Sequence, residues 1–238
     1  MCYNKPMKVK LITVGKLKEK YLKDGDKILD IGAGAGEYSL YFARKGYEVS
    51  ALELADANIA AFKKKLTPED KIDLVQGNAL DLSRYADKSF DIVLLFGPLY
   101  HLKNDADKQK CISEAKRVCK DGGKIFFSFI SNDFVFLTEF GYDVNYFSNG
   151  DYDKETFKLN DFPFVFHTVG AARKLLADGG INILHEVASD GASELLAARI
   201  NEMSDEDYTQ YLRYHFYICE KPELLGMTNH LLFMGEKK

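Results

Sequence analysis

The sequence predicts an α/β fold, a doubly wound and mostly parallel sheet with helices on both faces, and three observations carry that reading. Short apolar runs alternate with segments of helical periodicity from residue 27 to about residue 131. The first run passes directly into a turn holding Gly32, Gly34 and Gly36, and then into a helical segment. An acid, Glu53, closes the second run.

The elements follow in order. Lys27–Ile31 reads as a buried strand, residues 37–45 as a helix, Tyr47–Leu52 as a second strand, and Asp56–Leu66 as a helix with Pro68 beyond its end. Ile72–Gln76 is a third strand, and Ser89–Phe96 a fourth, apolar nearly throughout, as a strand covered on both faces must be. A helix is expected over 105–119, with Asp105 as its N-cap and Gly122-Gly123 past its end. Lys124–Ile130 is a fifth strand.

Residues 132–167 break the rhythm. They are rich in Phe and Tyr and in turn residues, and a structureless loop of that length is unusual, so a cap or lid with its own packing is expected there. Val169–Ala177 resumes as a helix stopped by Gly179-Gly180, and Ile181–Val187 as a sixth strand. Residues 192–219 read as a helical insertion of two helices joined near Ser204-Asp205, and Leu231–Gly235 as a seventh strand. The expected organisation is a basic N-terminal segment over 1–26, a core over 27–131, the cap over 132–167, and the rest of the core over 168–238.

Composition narrows the class. With 46% hydrophobic and 29% charged residues, a chain of 238 residues can bury a core without disulfides or metals. A formal net charge of −4 argues against a globally basic, nucleic-acid-binding face, though not against a local one. Such a local face is the segment 5–23, with Lys5, Lys8, Lys10, Lys16, Lys18, Lys20 and Lys23 against only Glu19. It reads either as a solvated flank of the core, with a strand over 8–14, or as a gate or docking arm for an anionic partner. The cysteines Cys2, Cys111, Cys119 and Cys219 show neither C-x-x-C pairs nor zinc-ligand spacing. Cys111 and Cys119, placed on one helix, are about 12 Å apart, too far for a disulfide. No stretch reaches the roughly 18 apolar residues of a membrane span, and no signal-peptide pattern opens the chain. The expectation is a cytoplasmic protein with reduced thiols.

The chemistry concentrates in Ile28-Leu-Asp-Ile-Gly-Ala-Gly-Ala-Gly-Glu-Tyr-Ser39. Glycines after a strand permit positive φ and close approach of a ligand to the backbone, and the following helix presents free N–H groups. Glu53, 21 residues after Gly32, suits a ribose diol. The spacing is G-x-G-x-G, with Glu37 where a dinucleotide site would hold its third glycine. Asp30 suits a cofactor with a cationic amino-acid tail.

The runs ILDIGAGAG, GNALDL at 77–82, FDIVLLFGPLYHL at 90–102 and AKRVCKDGGKIFFSF at 115–129, with Glu53 between them, resemble the class I, Rossmann-like S-adenosylmethionine-dependent methyltransferases. GPLYHL, YLRYHFYICEKPELLG and NHLLFMGEK resemble a bacterial subgroup of small methyltransferases. The resemblance implies a seven-stranded sheet with an antiparallel last strand, and S-adenosylmethionine as cofactor. It implies that Gly32, Ala33, Gly34 and Gly36 line the methionine and ribose, with Asp30 near the ammonium group and Glu53 and Leu54 at the ribose. Asn78, Ala79 and Leu80 would frame the adenine, although the family commonly has aspartate where this chain has Asn78. Tyr38, Phe96 and Gly97 would complete the cofactor site, a tyrosine ring being suited to a sulfonium. His101 is the candidate general base and Tyr100 its neighbour beside the acceptor. Arg199, Tyr214 and His215 resemble recurrent positions of the subgroup, and read either as projecting into the site toward a substrate or as a surface helix face.

Separately, residues 7–25 are similar to the start of a knotted methyltransferase family that modifies ribosomal RNA, without a trace of that family's C-terminal site. The leading expectation is a small-molecule methyltransferase. The alternative is an RNA or protein methyltransferase docking through the basic segment.

Overall fold

A computed structural model describes residues 21–238. The expected strand over 8–14, Cys2 and the lysines before residue 21 lie outside the described residues. Eight strands form one mixed sheet: β1 (Lys27–Ile31), β2 (Glu48–Glu53), β3 (Ile72–Gln76), β4 (Phe90–Leu95), β5 (Cys119–Ser131), β6 (Phe166–His167), β7 (Ile181–Ala188) and β8 (His230–Lys237). Their order is β3-β2-β1-β4-β5-β8-β7, with β6 on β5. The first five pair in parallel, and Ile28, Leu29, Ile31, Val93, Leu94 and Leu95 are fully buried, as parallel strands covered on both faces must be. Chain order reverses between β1 and β4, the switch point beyond which open α/β sheets bind ligands.

The C-terminal strands are antiparallel. Lys238 N donates to Gly180 O, and Ser189 N donates to His230 O, so residue numbers fall on one strand as they rise on the other. Ser131 N donates to Asn229 O, and Lys237 Nζ donates to Cys119 O, in the same sense between β5 and β8.

The helices are α1 (Glu37–Ala43), α2 (Asp56–Lys63), α3 (Asp105–Val118), α4 (Asn132–Tyr142), α5 (Tyr146–Asn149), α6 (Val169–Asp178), α7 (Ala197–Glu202) and α8 (Asp205–Ile218). The sheet has eight described strands where seven were expected, because two residues of the aromatic stretch pair with β5: Ile130 with Phe166 and Ser131 with His167. Asn104, not Asp105, caps α3, its side chain accepting from Asp107 N at 2.8 Å. Cys119 is not on that helix. Its extended backbone opens β5 and pairs with Phe90.

The described residues divide into two compact units. One holds Tyr21–Ser128, Lys174–Leu184 and Phe233–Lys238, and within it Leu40, Ala51 and Phe62 pack with Ala33, Leu66, Ile72 and Leu74. The other holds Phe129–Arg173 and His185–Leu232. Its aromatic stretch has a core of Phe136, Tyr152 and Leu159, against which Val135, Tyr146 and Phe166 pack.

Candidate functional site

The glycine turn does two jobs. Gly32 and Gly36 have φ of 74° and 83° and no room for a side chain: a Cβ on Gly32 would sit 2.8 Å from Pro98 Cδ, and one on Gly36 would sit 2.3 Å from the buried ring of Phe62. They bring the turn down onto the Pro98–Tyr100 3₁₀ turn and onto α2. Gly34, with φ of 56°, differs, since a Cβ there would meet nothing within 4 Å. It faces a cavity of about 500 Å³, within the range of about 300–1,000 Å³ usual for small-molecule sites.

Glu53, at the end of β2, is the charged residue of that cavity wall, and it is buried. Its Oε2 accepts from Gly34 N at 2.7 Å, and its Oε1 accepts from Ala55 N at 2.9 Å and from Asn58 Nδ2 at 3.3 Å. The carboxylate thus ties the turn after β1 to the start of α2. Asp30, also buried, accepts from Ser39 Oγ at 2.6 Å. Burial first, and then the negative charge of Glu53 and Asp30, push the Tyr100 phenol up to about 12, so that it stays neutral. Among the described residues, no lysine or arginine lines the cavity. The electrostatics of these residues suit a ligand carrying positive charge, and offer a pyrophosphate no cation.

The family model for methyltransferase domains matches residues 29–127. That stretch is similar to a methyltransferase domain. The chain is 34% identical over 121 residues to a demethylmenaquinone methyltransferase from Clavibacter sepedonicus, covering 50% of this chain and 47% of that protein. It is 32% identical over 110 residues to the 27-O-demethylrifamycin SV methyltransferase from Amycolatopsis mediterranei, covering 44% and 38%. The chain therefore spans about half or less of the length of these curated relatives. In fold it is similar to the crystal structure of a SAM-dependent methyltransferase from Methanosarcina mazei, with a TM-score of 0.60, 20% identity, and coverage of 93% of this chain and 96% of that one.

Within the matched stretch, the cavity brings together Gly32, Gly34, Glu53, Leu54, Asn78, Ala79, Gly97, Tyr100 and His101 from the sequence candidates. It does not gather the others. Asp30 lies beneath the turn with Ser39, and Ala33 packs in the Leu40–Phe62 cluster. Gly36 is the N-cap of α1. The Tyr38 ring meets the Phe96 ring edge-on at 4.8 Å, core packing in place of a cavity wall. Leu80 N donates to Asn78 Oδ1 at 2.9 Å, so the Asn78 side chain caps a local turn, and Leu80 is not in the cavity wall. Sequence reasoning missed Leu52, Ala55, Asn58, Gly77, Pro98 and Leu102. Asn58 had a signal, one turn into a helix that starts just after the carboxylate it contacts.

A second cavity, of about 310 Å³, lies within the C-terminal unit. Tyr214 and His215 line it. Arg199 does not: it is exposed on α7 and pairs with Glu202 at 3.7 Å.

Proposed function

We propose that the chain transfers a methyl group from S-adenosylmethionine to a small-molecule acceptor, and that it does so in the cytoplasm as a member of the GPLYHL subgroup. The observation that carries the reading is the cavity of about 500 Å³ beside Gly34, whose wall, among the described residues, holds the Glu53 carboxylate and no lysine or arginine. The residues fit the cofactor: open space where a Gly34 side chain would be, a carboxylate at the end of β2, and a negative local field sensed by Tyr100. Oε2 has a second lone pair, and Oε1 gains one when Asn58 Nδ2 gives way, so Glu53 would accept from ribose hydroxyls while keeping its bonds to Gly34 and Ala55. Asn78, Ala79 and Leu54 would flank the adenosine.

When bound, S-adenosylmethionine supplies an electrophilic methyl group on a sulfonium. The protein's share is positioning and exclusion of water. Leu52, Pro98 and Leu102 supply apolar wall, and neutral Tyr100 offers a phenol beside the two carboxylates. His101, exposed at the end of the 3₁₀ turn, would take a proton from an acceptor that must lose one. The buried free thiols of Cys111 and Cys119 accord with a reducing compartment. No helix among the described residues is long and apolar enough to cross a membrane.

The test is a screen with methyl-labelled cofactor and cell extract divided into small-molecule, RNA and protein fractions. Label in the small-molecule fraction is the expected result. Label in RNA, lost steeply with added salt, would favour docking through the lysine-rich segment instead.

A further inference from the structure

Asn58 stands in the first turn of α2, three residues after the N-cap Ala55, and lines the cavity beside Gly34. The helix itself does not call for an asparagine there. Asparagine is a weak helix former, and its usual service at a helix N-terminus is to accept from a free backbone N–H. No side chain caps α2 from the N-cap position, and the N–H of Ala55 is taken by Glu53 Oε1 at 2.9 Å. Nor is Asn58 part of the core. It is exposed, whereas Ile59 beside it and Phe62 one turn on are buried.

What the side chain does is donate to a carboxylate. Asn58 Nδ2 lies 3.3 Å from Glu53 Oε1, against 2.9 Å and 2.7 Å for the bonds from Ala55 N and Gly34 N. An ionised carboxylate only accepts, so the amide must turn its NH₂, and not its oxygen, toward Glu53. The bond is longer than the usual N–H···O range of about 2.7–3.2 Å, and it belongs to an exposed side chain, so it is easily exchanged.

An acceptor beside a donor is complementary to one kind of group. A hydroxyl both donates and accepts. Placed between the two, it gives its proton to Oε1 and takes one from Nδ2, so that two bonds replace one long one. A C–H at the same place does neither. A phosphate or carboxylate oxygen would accept from Nδ2 but meet the charge of Glu53.

We propose that Asn58 contacts the ligand and acts with Glu53 to select a ribose hydroxyl, Glu53 accepting from the hydroxyl and Asn58 donating to its oxygen. The assignment rests on the methyl-transfer reading for the identity of the ribose-bearing ligand. Glu53 keeps its bonds to Gly34 N and Ala55 N throughout, so the exchange is confined to Asn58.

The test is calorimetric titration of the full chain, and of Asn58→Ala and Asn58→Asp, with S-adenosylhomocysteine and with its 2′-deoxy and 3′-deoxy forms. Asn58→Ala is expected to weaken binding of S-adenosylhomocysteine by about three- to tenfold, the range of one neutral hydrogen bond. For the deoxy form that lacks the contacted hydroxyl, the same variant should bind within about twofold of the native chain. Asn58→Asp keeps the shape and replaces the donor by an acceptor, so it should lose at least as much on S-adenosylhomocysteine as Asn58→Ala does. An acid in the first turn of a helix favours the helix, and urea unfolding of both variants reports that they are folded. An equal effect of Asn58→Ala on all three ligands, no effect included, would overturn the assignment, and so would an Asn58→Asp chain that binds S-adenosylhomocysteine as the native chain does. The two readings fail distinguishably. A native chain that binds none of the three ligands overturns the adenosyl reading of the cavity, whereas one that binds them, with Asn58→Ala acting on all alike, overturns the Asn58 assignment alone.

Discussion

Replacing Glu53 by alanine is expected to weaken the fold as well as the cofactor site, because the same carboxylate serves both. In the chain without ligand it accepts from two backbone donors, Gly34 N and Ala55 N, and from Asn58 Nδ2. A hydrogen bond to a charged group contributes about 1.5–3 kcal/mol net. Ala55 is exposed, so water replaces the lost oxygen there, whereas Gly34 is half-buried and its N–H loses a partner at 2.7 Å. The expected loss of stability is therefore about 2–3 kcal/mol, nearer one strong bond than two. Loss of the ribose contact adds about 1.5–3 kcal/mol to cofactor binding, roughly a 10- to 150-fold rise in Kd. Urea unfolding of the free chain measures the first quantity and calorimetry the second. Glu53→Gln separates them further: one oxygen survives, and the new NH₂ must face a backbone donor, so stability should drop even though the side chain keeps its shape. If Glu53→Ala leaves both the urea midpoint and Kd unchanged, the carboxylate neither holds the turn nor contacts the cofactor.

Gly34→Ala and Gly36→Ala share a left-handed backbone strain of about 1–2 kcal/mol, but only Gly36→Ala drives a methyl into Phe62, which should add about 1–3 kcal/mol of overpacking. Unfolding free energies from urea titration that differ by less than about 0.5 kcal/mol would show that the Phe62 contact does not constrain the turn. For His101→Ala, turnover on an acceptor that must lose a proton should drop about 10²- to 10⁴-fold, with cofactor affinity little changed; turnover–pH profiles matching those of the native enzyme would remove His101 from the chemistry. Because folding depresses the His215 pKa, the unfolded chain binds more protons in the interval below the ordinary value of 6.5. The stability this residue contributes is thus present above about 6.5 and lost as pH falls toward the folded value. Urea unfolding at pH 7.5 and 5.5 should show a steeper loss for the native chain than for His215→Gln, and equal losses would mean that His215 is not buried neutral.

The cofactor-side fold was legible because its signals are local. A run such as Phe90–Leu95 can only be a strand covered on both faces, and Gly36 with Glu37 marks where α1 begins. Boundaries slipped where two local signals competed. Asp105 and Asn104 are both good caps, and the one whose side chain reaches Asp107 N wins. Cys119 continues a helical pattern, yet pairing with Phe90 draws it into β5. The two-residue β6 was illegible, since Phe166 and His167 form a strand only through the edge of β5 that they meet.

In the site, residues that touch the cavity through backbone or turn geometry were readable from motif position: Gly32, Gly34, Glu53, Ala79 and Gly97. Side-chain direction was not. Tyr38 and Asp30 each sit two residues from the nearest of these glycines, yet the ring turns to Phe96 and the carboxylate to Ser39. Arg199, Tyr214 and His215 carried equal weight as sequence candidates. Helical phase separates them, because α8 turns Tyr214 and His215 to a cavity while Arg199 stands in solvent on α7.

The central claim is that the cavity beside Gly34 was built for a cationic adenosyl ligand and not for a dinucleotide. Calorimetric titration of the native chain with S-adenosylmethionine, and in parallel with NADH, tests it most directly. The account predicts saturable binding of S-adenosylmethionine at one site and none of NADH, because Glu53 and Asp30 set a negative field and no lysine or arginine among the described residues of the wall awaits a pyrophosphate. Tight binding of NADH, with no heat from S-adenosylmethionine, would contradict it.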